Sequence, residues 1–144
     1  MGYRVHVVSR VEKFGDTEAF NWKNREFVEI LDCLGCDTWS NDECDQIECE
    51  KALFKDAILI AKNIGKLAEC GTIGKLKETL VEIGVSQDRV DGDDFEELDP
   101  EVAEDIELTI ENDLGYTVED FAKVLQSFLD ESDPDNDHIY FRVW

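Results

Sequence analysis

The sequence predicts an α+β fold in which the N- and C-terminal strands pair in a small antiparallel sheet packed by about five helices. Three observations lead there. Residues 3–9 (YRVHVVS) are rich in β-branched side chains, as a strand prefers. Residues 138–144 (HIYFRVW) alternate Ile139, Phe141 and Val143 with polar or amphipathic neighbours, a period of two. Between these ends the apolar residues follow helical spacing. Two isolated strands are marginal by themselves, so pairing the termini and covering one face with helices is the economical arrangement. A third strand fits around Val11–Phe14.

In chain order, Asn21–Leu34 carries Phe27, Ile30, Leu31 and Leu34 on one face and stops at Gly35. Ser40-Asn-Asp-Glu43 has the form of a capping box and opens a long helix to about Asn63, ended by Gly65. Its inner face would use Cys44, Ile47, Phe54, Ala57, Ile58 and Ala61. Thr72–Ile83 gives a shorter helix with Ile73, Leu76, Leu80 and Ile83 inward, closed by Gly84. Residues 85–98 read as an acidic loop with at most a partial turn. Asp99-Pro100 supplies an N-cap and an N1 proline for a helix to about Asp113, with Gly115 beyond it. Thr117 caps a last helix bearing Phe121, Val124, Leu125, Phe128 and Leu129, and Asp133–Asp137 turns into the final strand. No repeat, linker or low-complexity tract interrupts residues 1–144, so one acidic α+β domain is expected.

Charge is the strongest compositional signal. There are 36 Asp and Glu against 14 Lys and Arg, a net of −22. Residues 88–144 hold 20 acids and 3 bases, a net of −17, while residues 1–87 hold 16 acids and 11 bases, a net of −5. Solubility alone asks for a net charge of about 2–8 in magnitude, and the excess costs stability through self-repulsion. Such an imbalance points to an acidic surface. Direct nucleic-acid binding is disfavoured, because it needs clustered Lys and Arg, and the run Lys51–Lys77 is interleaved with acids. No apolar stretch is long enough for a membrane span and no signal peptide opens the chain, so a cytoplasmic protein without membrane contact is expected, in the bacterial cytosol if phage-encoded.

Five cysteines and no export signal fit reduced thiols better than a disulfide framework. Cys33, Cys36, Cys44 and Cys49 form C-x2-C-x7-C-x4-C, so zinc is the metal to consider. Cys44 and Cys49 on one helix would point about 140° apart, a poor half-site. The reading adopted is no metal and no cofactor, with the thiols as small buried hydrophobes.

No catalytic residue is assigned. His6 and His138 each lie in an expected strand, but the triplets His6-Val7-Val8 and His138-Ile139-Tyr140 lack the Ser or Thr that the two-histidine phosphoesterases carry in His-x-Ser/Thr. Asp133, Asp135 and Asp137 have the spacing that opens an EF-hand loop, yet His138 and Trp144 stand where that loop needs Gly and Glu. The expectation is a protein that is not an enzyme.

The binding surface expected is an acidic ridge of Asp93, Asp94, Glu96, Glu97, Glu101, Glu104, Asp105, Glu107 and Glu111, joined by Asp133, Asp135 and Asp137. On a helical wheel Val102, Ala103, Ile106, Ile110 and Leu114 take the opposite side. Carboxylates three or four residues apart on a helix stand about 5–6 Å from one another, comparable with phosphates along a strand. In composition the chain resembles phage anti-restriction and anti-CRISPR proteins, which are small, acidic and motif-poor, though no alignable motif carries the likeness. That resemblance implies a nucleic-acid mimic whose partner is a basic nucleic-acid-binding protein. The alternatives are an immunity protein or antitoxin neutralising a basic nuclease, with Trp22, Trp39 or Tyr116 as aromatic anchors, and an acidic housekeeping or structural protein. A homodimer is compatible with the sequence.

Overall fold

The computed structural model describes residues 5–8, 13–19, 23–43 and 46–143. Strands β1 (Val5–Val8), β2 (Lys13–Ala19), β3 (Trp39–Ser40), β4 (Gln46–Glu50) and β5 (His138–Val143) form one sheet in the order β2-β1-β5-β4-β3. Every neighbouring pair is antiparallel. The two terminal strands lie side by side, with Val5 opposite Val143 and Val8 opposite Tyr140. The fold class is therefore α+β with paired ends, as expected. Residues 11 and 12 of the third-strand expectation lie outside the described residues, and the observed strand runs on from Lys13 to Ala19.

The helices among the described residues are α1 (Asn24–Cys33), α2 (Lys51–Lys62), α3 (Ile64–Ala68), α4 (Ile73–Glu82), α5 (Gln87–Asp91), α6 (Pro100–Leu108) and α7 (Val118–Glu131). A π-helical turn, Thr109–Asp113, extends α6. None is long and apolar enough to cross a membrane.

The caps at Asp99 and Thr117 work as the sequence implies, and Thr72 adds a third. Thr72 accepts from the Lys75 amide at 3.1 Å, Asp99 from the Val102 amide at 2.8 Å and Thr117 from the Asp120 amide at 3.0 Å. Each satisfies an amide that the first helical turn leaves without a partner.

The expected helix from Ser40 to Asn63 is corrected. Strands β3 and β4 pair where its first half was expected, and the helix starts only at Lys51. Asn41 decides this: its amide donates to the Gln46 carbonyl at 3.2 Å and its side-chain oxygen accepts from the Gln46 amide at 3.1 Å. Asn closes turns by such bonds, in competition with a helix. Ile47 and Cys49 then alternate inward with period two. Cys44 lies outside the described residues. At the other end the helix breaks at Asn63, and Gly65 sits inside α3 without ending it. The approach is close there: a Cβ on Gly65 would stand 3.1 Å from the Glu107 carboxylate on α6.

Residues 85–98 are also more ordered than a loop. Ser86 caps α5, and Val85, Val90, Phe95 and Leu98 are buried, spacing the acidic residues between apolar anchors.

The core lies on the sheet face that bears Ile47, Cys49, Ile139 and Phe141. Phe141 of β5 meets Phe27 of α1 and Phe128 of α7, each at 5.3 Å between ring centres and near perpendicular, and Phe54 of α2 at 5.8 Å. Burial of each such side chain is worth about 1.5–3 kcal/mol, and edge-to-face geometry adds about 0.5–1.5 kcal/mol per pair.

Candidate functional site

The acidic stretch that follows α5 is fastened by a base within that helix, Arg89. The guanidinium reaches Asp56 of α2 at 2.5 Å, Asp94 at 2.9 Å and the Gly35 carbonyl at 2.7 Å, and it stacks 4.8 Å from the centre of the Phe95 ring. Burial opposes the charge, but the hydrogen bonds and charges of Asp94 and Asp56 outweigh it and raise the Arg89 pKa above its ordinary value. Gly35 makes this packing possible. Its φ is +85°, and a Cβ would come within 2.6 Å of the Phe95 ring and 2.8 Å of the guanidinium. The sequence marks Gly35 as a helix stop and Arg89 as an isolated base, but assigns Arg89 no role. The available signal was that no other Lys or Arg occurs in residues 88–113.

Around this anchor opens a hollow of about 390 Å³ lined by Asp32, Gly35, Asp37, Thr38, Asp93, Asp94, Glu96 and Glu97. Asp32 is held in place by accepting from the Thr38 amide at 2.9 Å and the Thr38 hydroxyl at 2.5 Å. The negative field reaches the end of α1: burial, then the charges of Glu97, Asp32 and Glu29, push the Cys33 thiol up. Four expected ridge residues thus line a concave surface together with Asp32 and Asp37, which were not among those expected.

On α6 the outer face presents Glu101, Glu104 and Asp105, all exposed, and Glu111 follows on the π-helical turn. None of the four has an ion-pair partner among the described residues. Ala103, Ile106 and Ile110 are buried opposite. Glu107 is half-buried, with its carboxylate beside Gly65 of α3. Leu108, one turn after Glu104, is 47% exposed.

Asp133, Asp135 and Asp137 stand elsewhere. The Asp133 and Asp137 carbonyls accept from the Lys51 ammonium and amide at the start of α2, and the Asp133 carboxylate accepts from the Asp135 amide at 3.0 Å. α6 packs on α3, which begins beyond the far end of α2. The 12 residues of α2 span about 18 Å, so this loop and α6 adjoin opposite ends of that helix. The twelve ridge residues accordingly divide into a hollow, a helix face and a separate turn, with Glu107 turned inward.

No group of three or more His, Cys, Asp or Glu among the described residues is placed to hold a metal ion. Cys36 and Cys49 are buried, with the Cys36 thiol 3.7 Å from the Leu53 carbonyl. A thiol–thiol hydrogen bond with Cys49, reinforced by burial, pushes the Cys36 thiol well up. His6 pairs in register with Arg142, four residues along β5 from His138, which sets the two histidines about 14 Å apart along the strand direction.

Comparison with protein-family models, with curated proteins and with solved structures yields no match for this chain.

Proposed function

We propose that this chain is a non-enzymatic inhibitor that occupies the basic nucleic-acid channel of a DNA- or RNA-processing protein, in the manner of anti-restriction and anti-CRISPR proteins. The observation that supports this best is the outer face of α6. Glu101, Glu104 and Asp105 are solvent-exposed at helical spacing on a helix whose inner side is anchored by Ala103 and Ile106. Carboxylates with no ion-pair partner among the described residues are available to the lysines and arginines of a nucleic-acid site. Complementary charge gives such a pair fast association. The test is a pull-down from host lysate with this protein as bait, washed at moderate salt and eluted at high salt. One basic nuclease, polymerase or CRISPR effector is expected, displaced by competing DNA. A partner that DNA does not displace overturns the mimic reading.

A second reading draws on Trp39, which is 56% exposed and follows directly on Asp37 and Thr38 in the wall of the acidic hollow. Exposed tryptophan beside carboxylates suits an immunity protein or antitoxin that grips a basic nuclease toxin through an aromatic hot spot. Trp39→Ala separates the two: a loss of 100-fold or so in affinity favours the immunity protein, and an unchanged affinity favours the mimic.

A further inference from the structure

We propose that the groove between the α3–α4 turn and the first turn of α6 docks a partner segment carrying one aliphatic side chain flanked by lysines or arginines. This rests on the inhibitor reading and specifies where the partner is held and by what chemistry.

The groove, of about 390 Å³, combines an apolar part (Ala68, Ile73 and Pro100) with an acidic rim that includes Glu101 and Glu104. Ile73 was expected on the buried face of α4, three residues before Leu76, but it is 54% exposed while Leu76 is 1% exposed. It lies past the edge of the core, in the first turn of the helix. Among the described residues only Trp39, Ile73, Val81 and Leu108 are large hydrophobics left exposed, and two of these four flank the acidic face of α6. Leu108 continues the row of Glu101, Glu104 and Asp105 by one turn.

The occupant follows from both halves of the groove. A phosphate chain is repelled by the carboxylates. An uncharged apolar segment would strip water from Glu101 and Glu104 without replacing it. A purely basic segment would leave Ile73 in water. A basic segment with an aliphatic anchor satisfies the acids and covers the apolar surface, and buried apolar anchors ringed by charge are where interface energy concentrates.

The test uses the isotope-labelled full chain and three synthetic ten-residue peptides, followed by amide shift titration. The first has four lysines around one central leucine in a glycine–serine background. The second replaces that leucine by serine, and the third keeps the leucine but replaces the lysines by serine. The lysine–leucine peptide is expected to bind about tenfold or more tighter than either control, because a buried leucine contributes at least that factor. Its shifts are expected at Gly71, Ile73, Glu101 and Glu104. Ile73→Ser, at an exposed position the fold does not need, is expected to erase the leucine gain and leave the lysine-only affinity unchanged. Glu101→Gln with Glu104→Gln is expected to weaken both lysine peptides. Equal binding of the two lysine peptides, or shifts centred on residues 93–97, overturns the groove and leaves the inhibitor reading standing. Equal binding of the lysine-free peptide overturns the charge requirement. No binding by any peptide overturns the docking site, while the pull-down judges the inhibitor reading separately.

Discussion

The Arg89 guanidinium lies 2.5 Å from the Asp56 carboxylate, and this contact ties the most acidic part of the chain to α2. The Arg89 side chain is 14% exposed and that of Asp56 21%, so water screens the pair only in part. The same guanidinium holds Asp94 and the Gly35 carbonyl. One cation therefore sets the position of the acidic hollow, which makes it the most informative residue to change.

Replacing Arg89 by Met keeps the side-chain stem but leaves Asp56 and Asp94 without their cation. The expected loss of stability is about 2–3 kcal/mol, below the full cost of breaking a wholly buried pair because some solvent reaches it. Urea denaturation measures this. A loss under about 0.5 kcal/mol would place the contact among ordinary surface pairs.

Gly35→Ala is expected to destabilise by about 2–3 kcal/mol, from a φ of +85° together with the 2.6 Å approach to Phe95. Gly71 has φ +60° but nothing within 4 Å of an added Cβ, so Gly71→Ala bears only the backbone cost, about 1 kcal/mol. The difference between the two variants in thermal or urea unfolding reports the packing of Phe95 and Arg89 directly.

Reversal of Glu97, Glu101 and Glu104 to Lys is expected to abolish partner binding without unfolding the chain, since all three side chains are exposed. For the parent protein, affinity should fall about tenfold or more between 0.05 and 0.5 M salt as the charges are screened. Calorimetry with the captured partner measures both. A triple variant that binds like the parent would remove the α6 face from the interface, and salt-independent affinity would indicate an apolar contact.

Alkaline pH should weaken the fold through the thiols. Cys33 and Cys36 are raised above the ordinary value of 9.0, so the folded state keeps their protons more tightly than the unfolded chain does. The resulting stability is fully present below pH 9 and is lost as pH climbs through the folded-state values. Denaturation midpoints are expected to be lower at pH 10.5 than at pH 8, and Cys36→Ser should reduce that difference. An identical pH profile for the variant would assign the alkaline loss to other groups.

Legibility in the sequence followed the range of the forces involved. The caps at Asp99 and Thr117 were readable because a side-chain oxygen acts on an amide three residues away. The box at Ser40–Glu43 misled because Asn41 satisfies the chain by a turn, and β4 is held by β5, from the far end of the sequence, with Glu48 opposite Tyr140. The acidic residues were all visible, but their grouping was not. Asp32 and Asp37 join Asp93–Glu97 only because Arg89 and Phe95 draw the two segments together.

The sequence by itself determined the α+β class, the pairing of the terminal strands, the helix caps and the concentration of charge after residue 88, all of which follow from local pattern and composition. Only the tertiary structure decided that the hairpin β3–β4 replaces a helix start, that Ile73 is left in water, and that the carboxylates form a hollow and a helix face on one part of the molecule and a separate turn at Lys51. Those outcomes depend on contacts between segments distant in the chain, whose geometry is set by how the whole core packs and not by any window of residues.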